Sequence, residues 1–464
     1  MKSLDQIESR IDLQNAPASA VTTTDPNYHF VITQPGSYYV SANIAATKTN
    51  AIQINSAGVT LDLKGFQISR GSGAGGNGIE IVATAHHARI SNGSVAGFAN
   101  GIFSDVTTDR PHGCAFTDLA ASGCTSIGIS AGIASVLQNC RVHDTTGGSG
   151  IFAGSNSVLN NCTVYNTTVN QGIAVQAGSS LTNCTVANTT GFYGIYTLFG
   201  GAYSLSNCTV HDSVVERGIF INGSGSLNNC SVYNNTAFIG IDAAVGCSLT
   251  NCSSWSNTST SSTSYGIHTG GESTLVGCSA NDNTSTYATA SSSTGVGISL
   301  GAESTATHCT ATFNKGDGIQ ASQRSQISDC AASLNGNGVN GSGIVTDIRC
   351  VVRRCDASDN QKSGIVVLGS SVVAENTVDH NGLGGPAAGI DASGSAGTCR
   401  IEGNHARDNI STGILSSGPP GDVVIRNSVG GAATTTPYFP SSGPNFGPIQ
   451  LPSNATNPMA NVIF

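Results

Sequence analysis

Charge is what this sequence has least of. Only 10% of its 464 residues are Asp, Glu, Lys or Arg, and no apolar run is long enough to cross a bilayer. A chain poor in charge and rich in Gly, Ser, Thr and Asn suggests disorder, but its apolar residues recur at regular spacing, which disordered segments do not show. Basic charge is scarcer than acidic: 18 Lys and Arg stand against 27 Asp and Glu, a net charge of −9. That is the wrong sign for a general nucleic-acid binder. The start, Met1-Lys2-Ser3, carries no apolar signal region. Neither nucleic acid nor membrane is an expected partner.

One phrase, repeated, fills the chain instead. Gly172-Ile173-Ala174-Val175 opens a short strand, and Leu181-Thr182-Asn183-Cys184-Thr185-Val186 follows after a small turn. The glycine of the pair recurs at Gly78, Gly101, Gly128, Gly150, Gly172, Gly194, Gly218, Gly240, Gly266, Gly297, Gly318, Gly343, Gly364, Gly389 and Gly413, at intervals of 21 to 31 residues and most often 22. Length alone suggests about three domains. A period of this size implies stacked units that bury their apolar side chains only against neighbours. Alternation points Ile173, Val175, Leu181, Cys184 and Val186 inward. Asn183, and likewise Asn139, Asn161, Asn207, Asn229 and Asn251, sits where one residue must turn a corner, a place suited to Asn in a left-handed bend and able to form a ladder.

Of the 15 cysteines, ten occupy one repeat position: Cys140, Cys162, Cys184, Cys208, Cys230, Cys252, Cys278, Cys309, Cys330 and Cys355. Asn376, Asn404 and Asn427 continue that slot and Asp118 precedes it. A zinc site needs converging ligands, not one per repeat. Parallel Cβ atoms about 4.8 Å apart also exceed the ~3.8 Å that a disulfide prefers. The row is expected to be buried thiols acting as small hydrophobes. Cys114, Cys124, Cys247, Cys350 and Cys399 lie off it, and a bridge among them stays open.

At the start, Ser3 with Gln6 as a capping box and Leu4, Ile7 and Ile11 on one face predict a short amphipathic helix over 1–15, with cap and linker spanning 1–27. The repeat region is 28–430. Residues 431–464 break the pattern with six prolines and are expected to pack on the stack or cap it, with a homo-oligomer contact through stack or tail as an option. Three short strands per turn, a tight Asn corner and two looser corners resemble the right-handed parallel β-helix of pectate-lyase-like proteins. The expected fold is therefore all-β: a solenoid of about fifteen or more coils with an N-terminal helix cap.

Function must be sought where the repeat is interrupted. From Gly128 to Gly364, ten of eleven repeats have 12 residues between the glycine and the ladder slot; the repeat at Gly194 has 14. The return loop is 10 residues for five coils, then 14 after Cys252 and 19 after Cys278. Beside these insertions the outward residues of the first strand read Tyr196, Phe220, Asp242 and His268, preceded on their rungs by Tyr193, Arg217 and Tyr265. Glu216 and Glu272 lie in nearby loops, and Gln176 and Asn222 complete the candidate substrate-binding set. A second outward stripe, His143, Tyr165, Ala187, His211, Tyr233 and Trp255, could stack on sugars or pack beneath a partner. Lys315, Asp317, Gln320, Arg324 and Lys362 form a third group.

The resemblance implies action on, or binding of, polysaccharide along the first-sheet groove, in a secreted or periplasmic setting. For a lyase acting on a uronate-containing chain, Arg217 would pair the carboxylate and His268 would remove the C5 proton. Tyr265 or Tyr196 would protonate the leaving oxygen, and Asp242 would orient His268 or hold a calcium ion. A C5-epimerase shares the first step. The acidic and basic signatures of pectate lyases are absent, as are the paired-Asp and Gly-His-Gly motifs of polygalacturonase-like hydrolases. A glycoside hydrolase using Asp242 with Glu216 or Glu272 therefore stays open, as does a non-catalytic carbohydrate-binding or adhesion module.

Overall fold

The computed structural model describes residues 10–71, 75–104, 112–287, 294–337, 341–394, 398–416, 421–431, 434, 436–439 and 446–464. The chain divides into two compact units, Met1–Gly223 and Ser224–Phe464. Each is a parallel β-solenoid in which successive repeats add one strand to each of three ladders.

In the first unit one ladder runs through Asn77–Ile81, Asn100–Ser104, Ile127–Ala131, Thr146–Ala153, Thr163–Gln176, Tyr193–Leu198 and Arg217–Ile221. Register is in phase with the sequence repeat: Ile151 pairs with Ile173, and Ile173 with Ile195. In the second unit a corresponding ladder runs through Ile239–Ala243, Tyr265–Thr269, Val296–Leu300, Ile319–Ala321, Ile344–Thr346 and Ile365–Val367. Side chains at alternate positions fill the interior, with Ile173, Val175, Cys184 and Val186 fully buried. Each such side chain contributes roughly 1.5–3 kcal/mol through removal from water.

The glycine of the Gly-Ile pair is required by close approach. A Cβ on Gly172 would stand 2.6 Å from the Gly194 carbonyl oxygen and 2.6 Å from Val186 Cγ1. Any larger residue would force the first and third strands of the coil apart. The Asn corners obey a different constraint: Asn139, Asn161, Asn183, Asn207, Asn229 and Asn251 all have φ between 50° and 54°. Asn is one of the few residues other than Gly that tolerates this conformation. Asn161 Nδ2 donates to Asn139 Oδ1 at 2.9 Å, and Asn207 to Asn183 at 3.1 Å.

All 15 cysteines are buried and none is in a disulfide, so the bridge left open by the sequence does not form. The ladder slot before Cys140 belongs to Leu119, not Asp118; Asp118 is the corner residue, with φ 53° and a hydrogen bond from Asn139. With that correction, every off-row cysteine falls five residues before or after the row. Cys114, Cys247, Cys350 and Cys399 share a slot with Ser135, Ser157, Ser179, Ser273, Ser304, Ser325 and Ser371. Along it backbone N–H groups reach the next side-chain oxygen, as from Ser135 to Ser157, from Cys247 to Ser273 and from Cys350 to Ser371. Cys124 shares its slot with Thr145, Thr167 and Thr189. Neighbours in these stacks are mostly hydroxyls, which leaves no sulfur to bridge. Burial pushes the Cys114 and Cys124 thiols up to about 11.

The expected N-terminal helix is corrected. Residues 1–9, including Ser3, Leu4, Gln6 and Ile7, lie outside the described residues, but Ile11–Asp12 is a strand and Leu13–Asn15 a single 3-10 turn. Among the described residues only that turn and Pro452–Asn454 are helical in any sense. Ile11 and Asp12 pair in parallel with Tyr38 and Tyr39, supplying partners to the open edge of Gly36–Tyr39. An unpaired strand edge has a stronger claim on those backbone groups than a helix turn, which satisfies only itself. At the other end, Thr436–Phe439 adds a parallel strand to Thr412–Leu415, and Asn461–Ile463 pairs with Ser428–Gly430.

Candidate functional site

Two clusters of the sequence-derived residues form, one in each unit. In the first unit, pairing of Tyr193 with Arg217 and of Tyr196 with Phe220 brings four side chains together. Tyr193 and Tyr196 stack at 4.5 Å between ring centroids, and Tyr196 and Phe220 at 5.6 Å with 7° between planes. The Arg217 guanidinium lies 4.6 Å from the Phe220 ring centre and 5.9 Å from that of Tyr193, a cation–π geometry. The inserted loop is pinned by Tyr203, whose hydroxyl donates to the Leu198 and Phe199 carbonyls. Rings stacked rung upon rung offer edges and hydroxyls to a ligand more than faces. The same holds for His143 on Tyr165 at 5.1 Å and, in the second unit, for Tyr233 on Trp255 at 4.5 Å.

In the second unit Asp242 pairs with His268 across adjacent strands, because one strand follows the other with an integral number of repeats between them. Asp242 Oδ1 lies 2.8 Å from His268 Nδ1. The aspartate side chain is 10% exposed and the histidine 36%. A buried carboxylate thus fixes the ring, and an Nδ1–H donated to Asp242 leaves Nε2 as the acceptor. Tyr265 stacks on His268 at 5.1 Å, and burial raises its phenol above the ordinary value, keeping it protonated. Asp242, offered for calcium, faces His268. Among the described residues no three His, Cys, Asp or Glu converge as a metal site.

Other candidates separate from these clusters. Gln176, expected to bind substrate, is only 7% exposed, and its Oε1 accepts from Ser155 Oγ at 3.4 Å. Asn222 is exposed, its N–H donating to Thr197 Oγ1 at 2.9 Å. Glu216 is half-buried in its loop, and Glu272 is an exposed corner residue with φ 58°.

A groove on the same face of the second unit was not singled out in the sequence. Outward positions continue from His268 through Ser299, Gln320, Val345 and Val366. From Ser299 onward they line a cavity of about 280 Å³ with Asp347 and Leu368 on its flank. The available signal was the run of uncharged, non-aromatic residues at positions that carry rings or charges elsewhere. Beside it Asp317 is buried, accepting from the Ser342 N–H at 2.6 Å and from Gln320 Nε2 at 2.8 Å. Burial pushes its carboxyl up to about 6, against the pull of those hydrogen bonds and of Lys362.

That shift has a stability consequence. The folded value lies above the ordinary 3.8, so between the two the native state holds a proton that the unfolded chain releases. Stability therefore falls as pH rises through that window, by roughly 3 kcal/mol in all, and stays at the lower level above it. Asp317→Asn should flatten this part of the profile, read as the urea midpoint at pH 4.5 against pH 7.

The fold and the two clusters define the class: a parallel β-solenoid with an Asp–His pair and an aromatic–Arg ladder on outward strand positions. The chain belongs to the right-handed β-helix family, whose model, the right handed beta helix region, matches residues 50–210 and 217–405. No curated protein sequence matches it. Similar solved structures include the A-module of mannuronan C-5 epimerase AlgE4 of Azotobacter vinelandii, at 12% identity over 83% of this chain and 89% of that one, TM-score 0.31. The periplasmic alginate epimerase AlgG matches at 13% identity over 85% and 83%, TM-score 0.28. The catalytic unit of a GH87 alpha-1,3-glucanase of Streptomyces thermodiastaticus matches at 12% over 83% and 68%, TM-score 0.31. No helix among the described residues is long and apolar enough to cross a membrane.

Proposed function

We propose that this chain is a polysaccharide lyase that cleaves a uronic-acid-containing glycan by β-elimination, with a substrate outside the cytoplasm. The observation that carries the reading is the 2.8 Å contact of Asp242 with His268, which leaves the far edge of a partly exposed imidazole as a base. In the proposed step His268 Nε2 takes the C5 proton, and the C5–H electron pair passes into the uronate carboxyl group. It then returns to form the C4=C5 double bond as the C4–O bond is lost. The leaving oxygen takes the Tyr265 hydroxyl proton as it departs. General-base assistance of this kind is worth about 10²–10⁴ in rate. Arg217, held over Phe220 in the first unit, is proposed to bind uronate carboxylates there.

A glycoside hydrolase is the weaker alternative, because the carboxylate it would use, Asp242, is 7% exposed and engaged by His268. Incubation with a panel of polyuronates and neutral glycans separates the readings. The lyase reading expects an ultraviolet-absorbing unsaturated end on a uronan product. Reducing ends without that absorbance would instead establish hydrolysis.

A further inference from the structure

The corner that follows the third strand of each coil carries a residue in the left-handed conformation, four positions after the cysteine slot. In the second unit it is occupied by Asn234, Ser256, Asp282, Phe313, Leu334, Asp359, His380 and Asp408, all at positive φ. Small or hydrogen-bonding side chains suit that conformation; bulky apolar ones do not. Phe313 and Leu334, each at φ 58°, break the rule on adjacent rungs. Their side chains are not hidden in compensation: Phe313 is 52% exposed and Leu334 39%. The strain brings no packing gain within the chain, which points to a gain elsewhere.

A cavity of about 200 Å³ opens beside them, lined by Phe313, Leu334, Asn337, Asp359, Gln361 and Leu383. Leu383 is itself 45% exposed. No hydrogen bond among the described residues engages the Asn337, Asp359 or Gln361 side chains. The lining thus offers one open aromatic face, two aliphatic walls, two amides and one carboxylate.

We propose that this corner is a second glycan contact, separate from the His268 face, that takes a neutral pyranose residue. The apolar C–H face of the sugar ring would lie on Phe313 between Leu334 and Leu383, and the amides and Asp359 would hydrogen-bond its hydroxyls. The negative charge of Asp359 selects against uronates, so the contact serves neutral sugars in a mixed polymer or a neighbouring glycan. It stands whether or not the elimination reading does.

Affinity electrophoresis of the full chain in gels containing a β-glucan, a xylan, a mannan or a polyuronate tests this. At least one neutral glycan should retard the wild type. Phe313→Asn should weaken that binding at least tenfold while leaving the melting temperature unchanged or higher, because Asn favours the left-handed corner. Gln361→Ala should weaken it less. The proposal is overturned if no neutral glycan retards the wild type or if Phe313→Asn is retarded equally. It is also overturned if sedimentation shows a wild-type dimer that Phe313→Asn dissolves, since the patch then covers a second copy.

Discussion

Replacing His268 by alanine should lower turnover of a uronan by roughly 10³-fold or more while moving the melting temperature by no more than about 1–2 °C. The first half follows from the role: without the imidazole, no described neighbour takes the proton, and loss of a positioned base removes most of its 10²–10⁴ contribution together with its orientation of substrate. The second half follows from exposure. The side chain is 36% exposed, and substitutions at such positions cost about 0.5 kcal/mol. Asp242→Asn should be nearly as damaging to turnover. An amide donating its N–H to Nδ1 would hold the ring in the tautomer with Nε2 protonated, which cannot accept. Activity unchanged in His268→Ala would remove the base from the proposed step.

The largest effect on stability is expected at Asn335. In the second unit Asn235, Asn257, Asn283, Asn314, Asn335, Asn360, Asn381 and Asn409 form a buried column, each Nδ2 donating to the next Oδ1 at 2.9 to 3.1 Å. Asn335 is fully buried; its Oδ1 accepts both the Asn314 N–H at 3.2 Å and Asn314 Nδ2 at 3.1 Å, and its Nδ2 also donates to the Ala311 carbonyl at 2.9 Å. Asn335→Leu would leave two donors of Asn314 buried without an acceptor and remove a donor from Ala311 and Asn360. At about 1–3 kcal/mol for each stranded group, the loss should be about 3–6 kcal/mol in urea denaturation. Asn161→Ala, at an exposed corner, should cost only about 1 kcal/mol. A loss below 1 kcal/mol at Asn335 would mean that the column does not hold the coils together.

The coils were legible in the sequence because one constraint repeats. Gly172 must clear Val186 and the next backbone, Asn183 must turn left, and Cys184 must fit a small inward slot, so the same letters return. The Asn335 column was missed although it lies five residues after each ladder residue, because Asn in a polar stretch reads as a turn. Earlier coils also fill the slot with Thr145, Thr167, Thr189 and Ser213, which hides the period. The start misled for the opposite reason. Leu4, Ile7 and Ile11 have helical spacing, but too few residues are involved to outweigh the demand of an open strand edge at Tyr38. For the site, spacing put Asp242 and His268 on neighbouring rungs. It could not show the 2.8 Å contact between their side chains, the burial of Gln176 or the groove beyond Ser299, because these depend on rotamer and depth rather than on period.

The central claim is that His268 removes the C5 proton of a uronate. Proton NMR of a polyuronate incubated with the chain in D₂O reads that event directly. Loss of the C5 proton resonance with the wild type, by elimination or by exchange, and its persistence with His268→Ala is the predicted result. Chain shortening with every C5 proton retained would contradict the account.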